Sequence, residues 1–208
     1  FTFTTANSAD LIGGAIFAQH GQLTMSDCTL SANSAYHHGG AIYGQHGELA
    51  LSDCTLSANS ADQKGGAIAV ADDVQLTLSD CTLSHNSALE GGAIAAQDGQ
   101  LTMSDCTLSG NTASITGWAI YFQRTSSFSV DVALINCTFT IGSNPAGSEA
   151  DLLITANGDS IDYGLCPPGY AAPASDVFVH HGDFTGCPAF TSCPAGSYGP
   201  GGQTRELR

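Results

Sequence analysis

The chain has 208 residues, of which 42% are apolar, so it is long enough to bury a sizeable core in one or two domains. Four Lys and Arg residues stand against 19 Asp and Glu residues, which gives a formal net charge of −15. Because nucleic acids and anionic membranes are held mainly by Lys and Arg, we expect neither as a partner. No apolar run reaches the roughly 18 residues that a membrane span needs, so no direct membrane insertion is expected.

Three sequence blocks recur in a fixed order, which is typical of a solenoid. The first block is Gly-Gly-Ala-Ile, whose copies begin at Gly13, Gly39, Gly65, Gly91 and, as Gly-Trp-Ala-Ile, at Gly117. The second block is Ser-Asp-Cys-Thr-Leu-Ser, with its cysteines at Cys28, Cys54, Cys81 and Cys106. The third block is Asn-Ser-Ala or Asn-Thr-Ala, at Asn33, Asn59, Asn86 and Asn111. The spacing predicts one residue gained before Leu76 and one lost after Asn86, both in turns.

Each unit alternates apolar and polar residues with period two, which is typical of strands with one buried face. Three short strands per unit are predicted, near Ala15–Ala18, Leu23–Met25 and Cys28–Leu30 in the first copy. A helical solenoid would need apolar spacings of three and four, with fewer Ser, Thr and Gly residues. The pattern therefore predicts an all-β fold, a right-handed parallel β-helix with about 26 residues and three strands per turn.

Stacked turns place equivalent residues in columns, because neighbouring strands lie about 4.8 Å apart. The predicted inward columns are Ile16, Ile42, Ile68, Ile94 and Ile120; Leu23, Leu49, Leu76 and Leu101; and Leu30, Leu56, Leu83 and Leu108. The asparagines of the third block are expected at a corner, where stacked amides satisfy each other and the turn. A degenerate last copy is predicted at Val132–Thr138, and a closing strand near Ala150–Thr155.

The sequence changes in character after about Gly164, where Cys, Pro, Gly and Tyr become frequent. We expect a β-helix over residues 1–163 and, over residues 164–208, a loop-rich disulfide-stabilised tail that starts a further module. Asn7-Ser8-Ala9 matches the end of a repeat unit, so the chain is expected to be a processed product or part of a longer protein. The edge of the first turn, at Phe1, is expected to be covered by another domain or subunit.

The eight cysteines fall into two groups. Five share one repeat position and are expected to form a column of small buried residues: Cys28, Cys54, Cys81, Cys106 and Cys137. This column lacks the paired spacing of zinc sites, and disulfides between its neighbours would leave one member unpaired. Cys166, Cys187 and Cys193 in the tail are candidate disulfide cysteines, because loop-rich segments are stapled in oxidising compartments. Since three is odd, one of them pairs elsewhere or stays free, and a secreted or cell-surface location is expected.

Two segments resemble known families. Gly-Gly-Ala-Ile combined with Leu-x-x-Asn, as in Leu30-Ser31-Ala32-Asn33, resembles the repeats of polymorphic outer membrane proteins, which carry Phe in place of this Leu. That resemblance covers roughly residues 1–140 and implies a cell-surface β-helix associated with adhesion. The tail pattern from Cys193 to Gly199 is similar to ephrin-receptor-like and EGF-like modules. Together they imply a fragment of a larger eukaryotic surface or matrix protein.

The candidates for enzymatic chemistry are the corner aspartates, which are Asp27, Asp53, Asp80 and Asp105. Their expected stacking at about 4.8 Å is near the separation of a retaining carboxylate pair. A catalytic pair needs unlike environments, whereas these residues share one repeat position, so we interpret them as solvated turn residues, with calcium binding as the alternative. His20 and His46 are interpreted as exposed turn residues, with a transition-metal site as the alternative. We expect no catalytic residue, no cofactor and no metal site.

The strongest candidate binding face is an outward lattice of hydroxyl groups. Its members are Thr29, Thr55, Thr82, Thr107, Ser31, Ser57, Ser84 and Ser109. Such ranks are similar to the faces of ice-binding β-solenoids, although Thr and Ser are also simply favourable on solvent-facing strands. Phe17, Tyr43 and Tyr121 are predicted to point outward, where their rings could stack on sugars or a partner protein.

Asn136-Cys137-Thr138 is the one Asn-x-Ser/Thr sequon, which makes Asn136 a candidate N-glycosylation site. The function predicted from the whole sequence is a non-enzymatic structural or adhesive β-helix segment of a larger cell-surface or matrix assembly, such as a filament. Its expected partners are other subunits or domains of that assembly. The alternative is a binding module that recognises glycan or ice through its Thr/Ser or aromatic ladder, and a polysaccharide-active enzyme is a third reading.

Overall fold

The computed structural model of the chain describes residues 6–124, 131–135, 137–140, 152–156, 159–163, 177–180 and 183–184. These residues form parallel turns of β-structure, and this part of the chain has no helix able to cross a membrane. In chain order the strands are β1 (Ser8–Ala9), β2 (Ile16–Ser26), β3 (Thr29–Ser31), β4 (Ser34–Ala35), β5 (Ile42–Ser52), β6 (Thr55–Ser57), β7 (Ser60–Ala61), β8 (Ile68–Ser79), β9 (Thr82–Ser84), β10 (Ser87–Glu90), β11 (Ile94–Gln97), β12 (Gly99–Ser104), β13 (Thr107–Ser109), β14 (Thr112–Thr116), β15 (Ile120–Arg124), β16 (Asp131–Ile135), β17 (Thr138–Thr140), β18 (Leu152–Ala156), β19 (Asp159–Tyr163), β20 (Val177–His180) and β21 (Asp183–Phe184).

One turn consists of a long strand and two short ones, and each strand pairs in parallel with its equivalent in the next turn. In the second turn these strands are β5, β6 and β7, and they pair with β8, β9 and β10. The short strands build two five-stranded sheets, whereas the long strands build one sheet of eleven strands. The predicted parallel β-helix is therefore confirmed.

The strand boundaries within a turn differ from the predicted ones. The two runs predicted near Ala15–Ala18 and Leu23–Met25 belong to the single strand β2. The backbone turns at His20 and Gly21, with φ of 55° and 118°, and the pairing with β5 resumes at once. The third strand of the turn lies in the Asn-Ser-Ala block, where a strand of two residues is too short for its alternation to be recognised.

The interior of the coil holds the predicted apolar columns. The isoleucines from Ile42 onward are fully buried, as are the leucines that follow Leu49 and Leu30 in their columns. Leu23 and Ile16, in the first turn, are only partly buried and pack against this core. The alternation along each strand thus separates a buried face from a solvent-facing one, as predicted.

The predicted asparagine ladder lies inside the coil at one corner. Asn33 donates to Asn59 Oδ1 from its backbone N and from Nδ2, at 2.9 and 3.0 Å, and Asn59 repeats both bonds to Asn86. Nδ2 of Asn59 also donates to the carbonyl oxygen of Leu30, one turn earlier, at 3.0 Å. Because each of these side-chain amides is satisfied, full burial of a polar column is tolerated.

The two glycines of the Gly-Gly doublet are required for different reasons. Gly39 has a φ of 65°, in the left-handed region that favours glycine. Gly40 lies against the next turn, so that a Cβ atom there would be 2.1 Å from the carbonyl oxygen of Gly66. The doublet therefore sets both the direction of the corner and the close approach of successive turns.

The third turn contains the predicted gain and loss of one residue. The pairing of β5 with β8 shifts between Gln45 and Gly47, where Asp72 and Asp73 stand against one residue, His46. Both aspartates have positive φ values, which places the extra residue in a corner. The loss falls at the other end of the turn, since the pairing of β10 with β14 shifts between Ala88 and Glu90. The next block, at Gly117, again follows its predecessor at Gly91 by 26 residues.

The coil continues past the regular repeats. Strands β16 and β17 pair in parallel with β12 and β13, so the predicted degenerate copy is a further turn, and β18 pairs with β15 as the predicted closing strand. Strands β19 and β20 are antiparallel to β18 and β16. Because β20 and β21 fall within residues 164–208, part of the predicted tail is hydrogen-bonded to the coil. Phe1 and the tail cysteines Cys166, Cys187 and Cys193 lie outside the described residues.

Candidate functional site

The candidate hydroxyl lattice occupies one of the five-stranded sheets. In β3, β6, β9 and β13 each threonine pairs with the threonine of the next turn, and each serine with the next serine. The residues concerned are Thr29, Thr55, Thr82, Thr107, Ser31, Ser57, Ser84 and Ser109. All are half-buried and alternate with the buried leucines of the same strands. Strand β17 extends the same register, with Thr138 paired to Thr107, so the threonine column has five ranks.

The cysteine column directly precedes this sheet and is buried as expected. Its described members, Cys28 to Cys137, are buried and are not joined in disulfides. Cys54 Sγ donates to the carbonyl oxygen of Ser52 at 3.1 Å, and this bond recurs in neighbouring turns. Burial raises the pKa of the Cys54 thiol to about 11. The Cys54 thiol is therefore protonated at neutral pH and has little of the thiolate character that reactive cysteines need.

The corner aspartates have one shared conformation. Asp27, Asp53, Asp80 and Asp105 are exposed and have φ values between 52° and 53°. Asp adopts left-handed backbone more readily than most residues, which explains the choice of residue at this corner. Four carboxylates in the same corner geometry do not provide the unlike pair that acid–base catalysis requires.

The histidines of the neighbouring corner stack on one another. The rings of His20 and His46 are nearly parallel, with centroids 4.8 Å apart, and both residues are exposed. Nε2 of His46 lies 3.9 Å from Asp72 Oδ2. In the described part of the chain, however, no group of His, Cys, Asp or Glu side chains is arranged to hold a metal ion.

The outward aromatic column departs from its prediction at Tyr121. Phe17 is 48% exposed and Tyr43 is half-buried, but Tyr121 is only 7% exposed. Lys64 contributes to this burial, since its Nζ lies 5.4 Å from the centroid of the Tyr121 ring, and the ring also packs against Ala95. Between the two tyrosines Ala69 and Ala95 take the same position in the third and fourth turns. The interruption of the column leaves a cleft of about 300 Å³.

Sequence reasoning missed the polar side of this cleft. His38, Lys64 and Glu90 are paired one turn apart at the position before the Gly-Gly doublet. Lys64 Nζ lies 3.2 Å from Glu90 Oε2 and donates to Gln123 Oε1 at 3.1 Å. The three residues share a repeat position but no residue type, so the repeat pattern gave no signal for them. The sequence feature that they share is their position directly before a Gly-Gly doublet.

The comparison with protein families agrees with this geometry. Residues 13–150, which are more than half of the chain, match the family model described as a right-handed β-helix region. The chain belongs to this right-handed β-helix family. The match supports the right hand predicted for the coil. A search of curated proteins and a search of solved structures each gave no match.

Within the β-helix, the predicted binding residues thus form one continuous face, while the aromatic residues lie on another. The candidate glycosylation residue Asn136 lies outside the described residues, as do the candidate disulfide cysteines. Two surfaces remain for functional interpretation: the hydroxyl lattice on the sheet of short strands, and the cleft between Tyr43 and Tyr121.

Proposed function

We propose that the chain is a non-enzymatic structural or adhesive segment of a larger extracellular or cell-surface assembly. The observation that carries the proposal is the parallel pairing that joins each turn to the next in all three sheets and continues past the two register shifts of the third turn. Each turn is joined to the next by parallel strand pairs, by the asparagine amides and by the apolar columns. Such a stack behaves as a quasi-one-dimensional rod whose stability is a sum over neighbouring turns.

The extracellular setting rests on the tail sequence. Loop-rich segments with Cys, Pro and Gly are stabilised by disulfides where the environment is oxidising. The resemblance of the repeats to polymorphic outer membrane proteins, and of the tail to extracellular modules, supports the same location and an adhesive role. The partners in this proposal are other domains or subunits of the same assembly.

The non-enzymatic part of the proposal rests on the uniformity of the coil. The carboxylates that stack along it have the same corner conformation, so nothing sets one apart as acid and another as base. A panel of neutral and acidic polysaccharides incubated with the protein is expected to release no new reducing or unsaturated ends. Release that is lost in an Asp53→Ala variant would contradict this part.

Single-molecule stretching between the two ends of the chain tests the structural role. We expect discrete steps, each releasing one turn of about 26 residues, or roughly 90 Å of extended chain. A Thr55→Val variant changes an outward side chain and is expected to keep the unfolding force. Extension without discrete steps, at the forces of a flexible linker, would overturn the proposal.

The five-rank threonine column of the hydroxyl lattice favours a second candidate, a face that binds ice or glycan. The ranks span four strand spacings, about 19 Å at 4.8 Å each. An ice-shaping assay is expected to show faceted crystals with the wild-type chain and unshaped crystals with Thr55→Lys and Thr82→Lys. Unshaped crystals with the wild-type chain at high concentration would remove ice as the ligand.

A further inference from the structure

The outward aromatic column contains a gap that is two residues long. Phe17 and Tyr43 stack with ring centroids 5.7 Å apart, and Tyr121 occupies the same column three turns after Tyr43. Ala69 and Ala95 fill the two turns between them, so each turn lacks one ring. Ala95 and Tyr121 form a small apolar cluster separate from the interior core. The cleft therefore has an apolar floor, a tyrosine at either end and the length of two missing rings.

The charges along one side of the cleft are balanced. Lys64 carries the one ammonium group of the cleft lining, and it is neutralised by Glu90 at 3.2 Å. The same ammonium group is anchored at the far end of the cleft by Gln123 and the Tyr121 ring. The Lys64 ammonium group already occupies the place beside Gln123 and Tyr121 that a ligand cation would take. A ligand anion would meet a paired lysine on a chain whose net charge is −15.

Uncharged polar groups make up the rest of the polar lining. Burial, and the positive charge of Lys64, lower the pKa of His38 from its ordinary value of 6.5, so its imidazole is neutral at pH 7. Its Nδ1 atom is buried and has no hydrogen-bond partner among the described residues. The His38 ring stacks on Tyr43 with centroids 6.1 Å apart. Gln63 and Gln97 add amide groups to the lining.

We propose that the cleft between Tyr43 and Tyr121 binds a neutral disaccharide unit of a glycan. Sugar rings present apolar faces that pack against the Tyr43 ring and the alanine floor, and hydroxyl groups that exchange hydrogen bonds with amides and imidazole. A volume of about 300 Å³ is at the lower end of small-molecule sites, which suits two rings and excludes a folded partner. This inference rests on the proposed adhesive role and names the ligand class of that role. Sugar binding in the cleft does not depend on whether the coil bears mechanical load.

Titration of the isotope-labelled chain with four neutral disaccharides tests the proposal: maltose, cellobiose, lactose and N,N′-diacetylchitobiose. At least one is expected to shift the amide resonances around Tyr43, Ala69 and Tyr121. Ala69→Tyr fills the gap with the ring already present at Tyr43 and is expected to weaken binding at least tenfold. Ala50→Tyr is the matched control, since Ala50 lies in another outward column, between Thr24 and Thr77. It is expected to leave binding unchanged.

Tyr43→Ala removes one wall and gives the same expected loss should Ala69→Tyr fail to fold. The proposal is overturned if none of the four sugars shifts these resonances, or if Ala69→Tyr binds as well as Ala50→Tyr. Stronger binding of digalacturonate or of a glucosamine dimer would also overturn it, because the ligand would then be charged. Stepwise unfolding under force does not involve the cleft, so either proposal can fail while the other stands.

Discussion

At the scale of single residues, the asparagine corner of the coil is held by buried side-chain amides that bond to one another. Asn59 is fully buried, and its side chain joins three turns through Asn33, Asn86 and the Leu30 carbonyl oxygen. Replacing it with an apolar residue of similar size leaves the two Asn33 donors and the Leu30 carbonyl oxygen without that partner, whereas Asn86 Oδ1 keeps its bond from the backbone N–H of residue 59. A buried group that loses its partner costs about 1–3 kcal/mol.

Asn59→Leu is therefore expected to lower the free energy of unfolding by at least about 3 kcal/mol, measured by urea denaturation. Ser57→Ala, on the outward face of the same turn, is the control and is expected to stay within about 0.5 kcal/mol of wild type. Equal stability of Asn59→Leu and wild type would show that water replaces the amide, and hence that the corner is open.

The buried thiol of Cys54 predicts a loss of stability in alkali. Cys54 ionises near pH 9 when unfolded but near 11 in the coil, because burial disfavours the thiolate. The unfolded state therefore releases its proton first, and the free energy of unfolding is expected to fall as pH rises from about 9 to 11. Below pH 9 the contribution is fully present.

Tyr43, whose pKa burial also raises, acts in the same direction, so the test uses a Tyr43→Phe background. Adding Cys54→Ala to that background is expected to flatten the decline of stability between pH 9 and 11. An unchanged slope would mean that this thiol is not protected from ionisation in the folded chain.

At the scale of the turn, the Gly-Gly doublet and an inward glycine respond differently to a methyl group. A Cβ at Gly40 would lie 2.1 Å from the Gly66 carbonyl oxygen, whereas a Cβ at Gly44 would meet Val70 Cγ1 at 3.3 Å. Gly40→Ala is expected to separate the second and third turns and to lower the melting temperature by more than roughly 5 °C. Gly44→Ala is expected to change it little. Similar melting temperatures for the two variants would contradict the close approach.

The turn also shows what sequence can predict. Ile42, Leu49 and Asn59 were placed correctly because each repeats at one position, and repetition in a solenoid means stacking. The continuity of β2 through His20 was not predicted, because Gly21 suggests a break and the pairing across the corner becomes visible only in three dimensions. Burial of Tyr121 was missed because it depends in part on Lys64, a residue two turns away that is unlike its own repeat equivalents.

At the scale of the whole molecule, the two cysteine groups differ in oxidation state if the extracellular proposal holds. Alkylation of the denatured but unreduced chain is expected to label the five free thiols of the coil and at most one tail cysteine. Reduction before alkylation is expected to add the remaining tail cysteines, as read by intact mass. Labelling of all eight cysteines without reduction would contradict the disulfide-stabilised tail.

The compensated third turn has a consequence for how such a chain can change over time. The extra residue at Asp72–Asp73 is cancelled by the shortening near Leu89, so the Gly-Gly doublets that begin the third and fourth turns stay 26 residues apart. The end of each turn therefore presents the kind of surface on which the next turn stacks. Unequal recombination within the gene, which duplicates or deletes one unit of about 26 codons, alters the reach of the rod and creates no new junction. The number of turns in this molecule can therefore change by mutation while the fold is kept.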